Sequence, residues 1–151
     1  MGCKPFVITT LVAILAISGC NDQVRPGWER GPSRNFTFYV PVGFRRQPLT
    51  CFDSECWHLQ GDGISLDYAC GDADGGCPRD SGQHVTVHGA SQATLWVGYP
   101  AGDSLAPYTV TLFVTSKRPP YGLSFTARCA TEDARQRAIT ILRTTSFHRG
   151  R

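Results

Sequence analysis

Between Asn35 and Ala130 the chain is divided into short runs in which every second residue is apolar, the period of a half-buried strand. Phe36, Phe38 and Val40 begin the pattern. Residues 56–60 and 64–69 follow on either side of Gly61-Asp62-Gly63, a hairpin signal. Residues 84–88 and 93–99 read as two further strands. In residues 108–115, Val110, Leu112 and Val114 alternate with threonines, and in residues 123–130, Leu123, Phe125, Ala127 and Cys129 alternate with Ser124, Thr126 and Arg128. Pro119-Pro120-Tyr121-Gly122 turns between these last two, which predicts an antiparallel pair. The period then changes. Thr131 is placed to cap a helix, Glu132 and Asp133 suit the positive end of its dipole, and Arg143 suits the other end. Ala134, Ala138, Ile141 and Leu142 form one apolar stripe, and Phe147 is expected to pack as a closing strand or tail. The expected class is α+β: a single antiparallel β-sheet with a C-terminal helix packed on one face, spanning residues 35–148 with a tail at 149–151. No repeat or second domain boundary is visible.

The segment before this domain has a different character. Lys4 is followed by Phe6 to Gly19, an uncharged and largely apolar stretch that is short of the roughly 20 residues a spanning helix needs. It has the length of a signal-peptide core and ends in small residues. The terminal Ile17-Ser18-Gly19-Cys20 resembles the lipobox of bacterial lipoprotein precursors. That resemblance implies that residues 1–19 are removed, that the Cys20 thiol carries a diacylglycerol, and that the protein is held at the cell envelope facing the periplasm. Cleavage without lipidation is the rival reading. N-myristoylation at Gly2 fits poorly, because its motif asks for Ser or Thr where this chain has Phe6. Residues 20–34, with two prolines and two glycines, read as a lipidated tether in which Trp28 rests on the membrane or on the domain. Asn21 follows the cysteine, so the aspartate that retains some lipoproteins at the inner membrane is absent from that position, which favours the outer membrane.

Export carries Cys51, Cys56, Cys70, Cys77 and Cys129 into an oxidising compartment. Five is odd, so at least one thiol is left over or pairs between molecules. The favoured bridges are Cys51–Cys56 and Cys70–Cys77, each closing a short loop. The alternative pairs Cys56 with Cys70 across the hairpin and leaves Cys51 for Cys77. Cys129, in register with Leu123, Phe125 and Ala127, is expected as a free buried thiol acting as a small hydrophobe.

Few other motifs carry chemistry. Cys51 and Cys56 with His58 echo a zinc pair, but Cys70 and Cys77 are too widely spaced. His84 and His88 would share a metal on a helix, whereas on a strand they stand about 13 Å apart. Asp72 and Asp74 open like a calcium loop whose later ligand positions hold Gly76 and Gln83. Ser54-Glu55-Cys56-Trp57 with a histidine is the nearest approach to a thiol hydrolase, and no nucleophile elbow or phosphate loop occurs. Loss of Lys4 with the leader takes the formal charge from +3 to +2, and no basic run exceeds two residues, so nucleic acid is not an expected partner.

The strand ending in Val40-Pro41-Val42-Gly43-Phe44 and the final helix running into Ile141-Leu142-Arg143-Thr144-Thr145-Ser146-Phe147 resemble small secreted and lipoprotein domains of Gram-negative bacteria, and are distantly similar to the PsbP-like fold. That resemblance implies an antiparallel sheet flanked by helices, no enzymatic activity and no transferred site. The expected function is that of a membrane-anchored envelope lipoprotein: a non-catalytic binding, adaptor or assembly-accessory domain without a cofactor. Its partner would be an envelope protein or the cell wall, with Trp57, Tyr99 and Tyr121 as surface candidates. A thiol hydrolase using Cys56 and a weak metal-binding module are the alternatives.

Overall fold

The structure, a computed structural model, describes residues 25–71, 82–98, 105–117 and 122–147. Eleven strands and one helix occur among them: β1 (Trp28–Arg30), β2 (Phe36–Thr37), β3 (Tyr39–Pro41), β4 (Arg45–Pro48), β5 (Ser54–Gly61), β6 (Ile64–Gly71), β7 (Gln83–His84), β8 (Gln92–Gly98), β9 (Tyr108–Thr115), β10 (Gly122–Cys129), α1 (Glu132–Arg143) and β11 (Ser146–Phe147). Seven strands form one antiparallel sheet in the order β4-β5-β6-β10-β9-β8-β7. Two antiparallel ribbons, β1-β3 and β2-β11, stand apart from it.

The predicted single-sheet α+β class is therefore wrong: the chain is mostly β and its described residues build three sheets, with one helix. The reason lies in residues 36–40. Phe36, Thr37 and Phe38 are all buried in succession, so neither face of this run meets solvent and strict alternation fails. The segment breaks after Thr37; β2 pairs with β11, and β3 pairs with β1. The break is pinned where the Tyr39 amide donates to Thr144 Oγ1 at 2.9 Å.

The domain also starts earlier than residue 35. Trp28–Arg30 is a strand, the Gly31 amide donates to the Phe38 carbonyl at 2.9 Å, and Ser33 is buried. Trp28 packs on the core, so the residues expected as the second half of a tether form a strap bound to the domain. Arg46 holds that strap from the sheet edge, pairing with Glu29 at 2.9 Å and donating to the Arg30 carbonyl at 3.0 Å. The strand expected over 84–88 is reduced to Gln83–His84, and His88 makes only an isolated bridge to Ser146.

The β5–β6 hairpin turns through two residues, Asp62 (φ 51°) and Gly63 (φ 72°), with Gly61 facing Ile64. Left-handed geometry at both central positions is that of the type I′ turn, which matches the twist of paired strands and which Asp-Gly favours. This turn fixes the register. Cys56 faces Ala69 while Glu55 faces Cys70, so Cys56 and Cys70 project from opposite faces and cannot be bridged.

One face of the large sheet carries Leu59, the β6 row Ile64, Leu66, Tyr68 and Cys70, the β10 row Leu123, Phe125, Ala127 and Cys129, and the β9 row Val110, Leu112 and Val114. Helix α1 lies on this face against β10 and β9 and buries Ala134, Ala138, Ile141 and Leu142. Its first turn is capped as the sequence predicts, with Thr131 Oγ1 accepting from the Ala134 amide at 3.1 Å. Beside the helix, Phe36, Phe38, Tyr68 and Phe125 form a ring cluster with centroids 5.0–5.5 Å apart, mostly edge to face. Phe147 joins through Phe36 at 5.9 Å.

Cys51 and Cys56 are joined in a disulfide. Closing so short a loop constrains the unfolded chain by about 2 kcal/mol. Replacing both cysteines with serine is expected to lower the urea midpoint by a corresponding amount with the slope unchanged; equal midpoints for the two proteins would show that the bridge contributes nothing to stability.

Candidate functional site

The register places a second, mainly polar set of side chains on the face of the large sheet opposite the helix. One row crosses six strands as Arg45, Gln60, Ser65, Arg128, Thr109 and Gly98. The next row is Gln47, His58, Asp67, Thr126, Thr111 and Trp96. Cys56, Ala69, Ser124, Phe113 and Thr94 continue behind them. Hydroxyl, amide and imidazole groups dominate, with Trp96 and Phe113 half-buried among them.

At the centre, Asp67 takes two partners from neighbouring strands. His58 Nδ1 lies 2.6 Å from Asp67 Oδ1, and Arg128 donates to Asp67 Oδ2 at 3.1 Å. A carboxylate only accepts, so the proton between them sits on Nδ1. Sequence reasoning missed this group, because His58, Asp67 and Arg128 converge only through strand pairing: His58 faces Asp67 only with a two-residue turn at Asp62-Gly63, and Arg128 needs the β6–β10 register as well.

Where the first row meets the hairpin turn there is a cleft of about 510 Å³. Arg45 and Arg128 flank Gln60 and Ser65 on its floor, Gly43 and Leu105 lie at its rim, and Asp62 is the one acidic residue among those lining it. Three strand spacings separate the two arginine backbones, roughly 14 Å. Arginines on two sides of one cleft suit an anionic group, because a guanidinium pairs with carboxylate or phosphate oxygens.

A second polar cluster is structural. Glu55 lies on the core-facing side of β5, and its carboxylate accepts from Ser33 Oγ at 3.3 Å, the Arg34 amide at 3.3 Å, Asn35 Nδ2 at 2.8 Å and the Tyr68 hydroxyl at 3.2 Å. It thereby ties the strap to the sheet. Burial, reinforced by this carboxylate, keeps the Tyr68 phenol protonated well above its ordinary range.

The predicted cysteine sites separate into two kinds. Cys56 is bonded to Cys51, so its sulfur is no thiolate nucleophile, and it provides no zinc ligand. Cys70, expected in a bridge with Cys77, is instead a free buried thiol: it follows Ile64, Leu66 and Tyr68 on the core-facing side of β6, which turns its sulfur inward. Cys77 lies outside the described residues. Cys129 is likewise free and fully buried. Burial, followed by the neighbouring Glu55 charge, pushes the Cys70 thiol up to about 12. Burial pushes Cys129 up to about 11 against the opposing pull of Arg135. Neither is a thiolate at neutral pH.

His84 and His88 are both exposed. Among the described residues no three His, Cys, Asp or Glu side chains form a group that could hold a metal ion. Trp57 is half-buried in β5 against the core. Cys20, Asp72, Asp74, Tyr99 and Tyr121 lie outside the described residues. Among the described residues no helix is long and apolar enough to cross a membrane.

Fold and site together define a β-rich domain with one face sealed by a helix and ribbons and the other bearing polar rows and an arginine-flanked cleft. Comparison with protein-family models and with curated proteins returned no match.

Proposed function

We propose that this chain is an envelope lipoprotein, anchored through acylated Cys20 and facing the periplasm, at the outer membrane by preference, whose domain binds rather than catalyses. The observation that carries this reading is the Cys51–Cys56 disulfide in a chain that opens with Phe6 to Gly19 and Ile17-Ser18-Gly19-Cys20. Bridges of this kind persist in oxidising compartments, which a leader and lipobox would reach. The two buried thiols support a binding role, since each is held protonated and inside the core. So does the polar face, where hydroxyl, amide and arginine groups are arrayed across six strands. An envelope protein or the cell wall is the partner such a surface would meet.

Metabolic labelling with a fatty-acid analogue tests the anchor. Label is expected on the exported chain, is expected to persist in Cys3→Ser, and is expected to vanish in Cys20→Ser. Equal labelling of the Cys20→Ser protein would sink the lipoprotein reading.

A further inference from the structure

We infer that the cleft between Arg45 and Arg128 receives the phosphate-bearing headgroup of an anionic phospholipid in the membrane that anchors the chain. The inference rests on the lipoprotein reading for its geometry. Gly27 is seven positions after Cys20, so an acylated Cys20 lies within roughly 25 Å of the point where the chain joins the domain. That point is at the cleft. The Val42 amide donates to the Gly27 carbonyl at 2.9 Å, and Val42 leads directly into the lining residues Gly43 and Arg45. Because Trp28–Arg30 is bound as a strand, the strap cannot pay out to let the domain turn its other end to the membrane.

The end so presented has the composition a lipid surface selects. Val42 is 65% exposed and Leu105 is 85% exposed, two apolar side chains at the cleft end of the domain. Arg45 and Arg128 line the cleft together with Gln60 and Ser65. Arg128 is held by its bond to Asp67 at 3.1 Å, while no ion pair of Arg45 occurs among the described residues. A phosphate oxyanion fits two arginines and adjacent neutral donors, and apolar rim residues fit the acyl boundary just beneath it.

The test uses the acylated full-length exported protein on vesicles of phosphatidylcholine alone and of phosphatidylcholine with phosphatidylglycerol, read by flotation and by amide hydrogen exchange. Flotation is expected on both. Exchange across residues 42–45 and 61–65 is expected to slow on the phosphatidylglycerol vesicles by roughly fivefold for each arginine engaged, and to recover at high salt. Arg45→Gln, an exposed substitution that leaves the Asp67 pair intact, is expected to lose about fivefold of that slowing, and Arg45→Gln with Arg128→Gln to lose all of it. Equal exchange on the two vesicles, with flotation on both, overturns the headgroup site and leaves the anchor standing. The same protection from inorganic phosphate on neutral vesicles overturns the lipid as its source. Failure to float on either vesicle overturns the anchor reading itself.

Discussion

Phe125→Ala is expected to destabilise the domain by about 3–5 kcal/mol, a loss large against the whole stability of a typical domain. Phe125 is fully buried at the middle of β10 and its ring meets three others: Phe36 at 5.5 Å, Phe38 at 5.0 Å and Tyr68 at 5.3 Å. Those rings come from β2, the β2–β3 junction and β6, so the cavity is walled by three chain segments that cannot collapse together into it. Chemical denaturation of the two proteins measures the difference. A loss under about 1 kcal/mol would mean that the cluster repacks freely, contrary to the geometry described.

Gly31→Ala is expected to cost about 1–3 kcal/mol or more through overpacking. A Cβ built at Gly31 lies 2.1 Å from the tip of the Phe38 ring. A flexible exposed side chain would swing aside, but Phe38 is fully buried and in contact with Phe36, Tyr68 and Phe125. The backbone of the strap must yield instead, at the point where the Gly31 amide bonds to the Phe38 carbonyl. Amide exchange separates this from global loss: protection at Trp28–Arg30 and at Tyr39 and Val40 should fall further than protection in β9 and β10. Uniform loss, or none, would show that the strap does not depend on this close approach.

The elements most legible in the sequence are those whose partners are near in the chain. Val110, Leu112 and Val114 against threonines, followed by Leu123, Phe125, Ala127 and Cys129, specify β9 and β10 and their pairing. Thr131 with Ala134, Ala138, Ile141 and Leu142 specifies α1 and its buried face. What escaped depends on geometry that one residue can invert. The two-residue turn at Asp62-Gly63 decides that Cys70 points inward and Cys56 outward, and a turn of another length would exchange them. The split at Phe38 escaped because burial on every side erases alternation. Arg45 and Arg128 are 83 positions apart, and only the order β4-β5-β6-β10 brings them to one cleft. The bonds of Glu55 escaped because the groups that make them, in residues 33–35, belong to a segment whose composition resembles a linker.

The ring cluster has a consequence for the order in which the molecule is made. Its members stand at positions 36, 38, 68, 125 and 147, so its two ends are contributed by residues 111 positions apart that pair directly, Phe36 against Phe147. A chain delivered from its N-terminus, by a ribosome or through a translocation pore, has nothing to close this core with until β10 and β11 have emerged. Loop-closure entropy is spent before the contacts that repay it exist. The native core is therefore completed late, because Phe125 on β10 and Phe147 on β11 follow β1 to β9 in the chain.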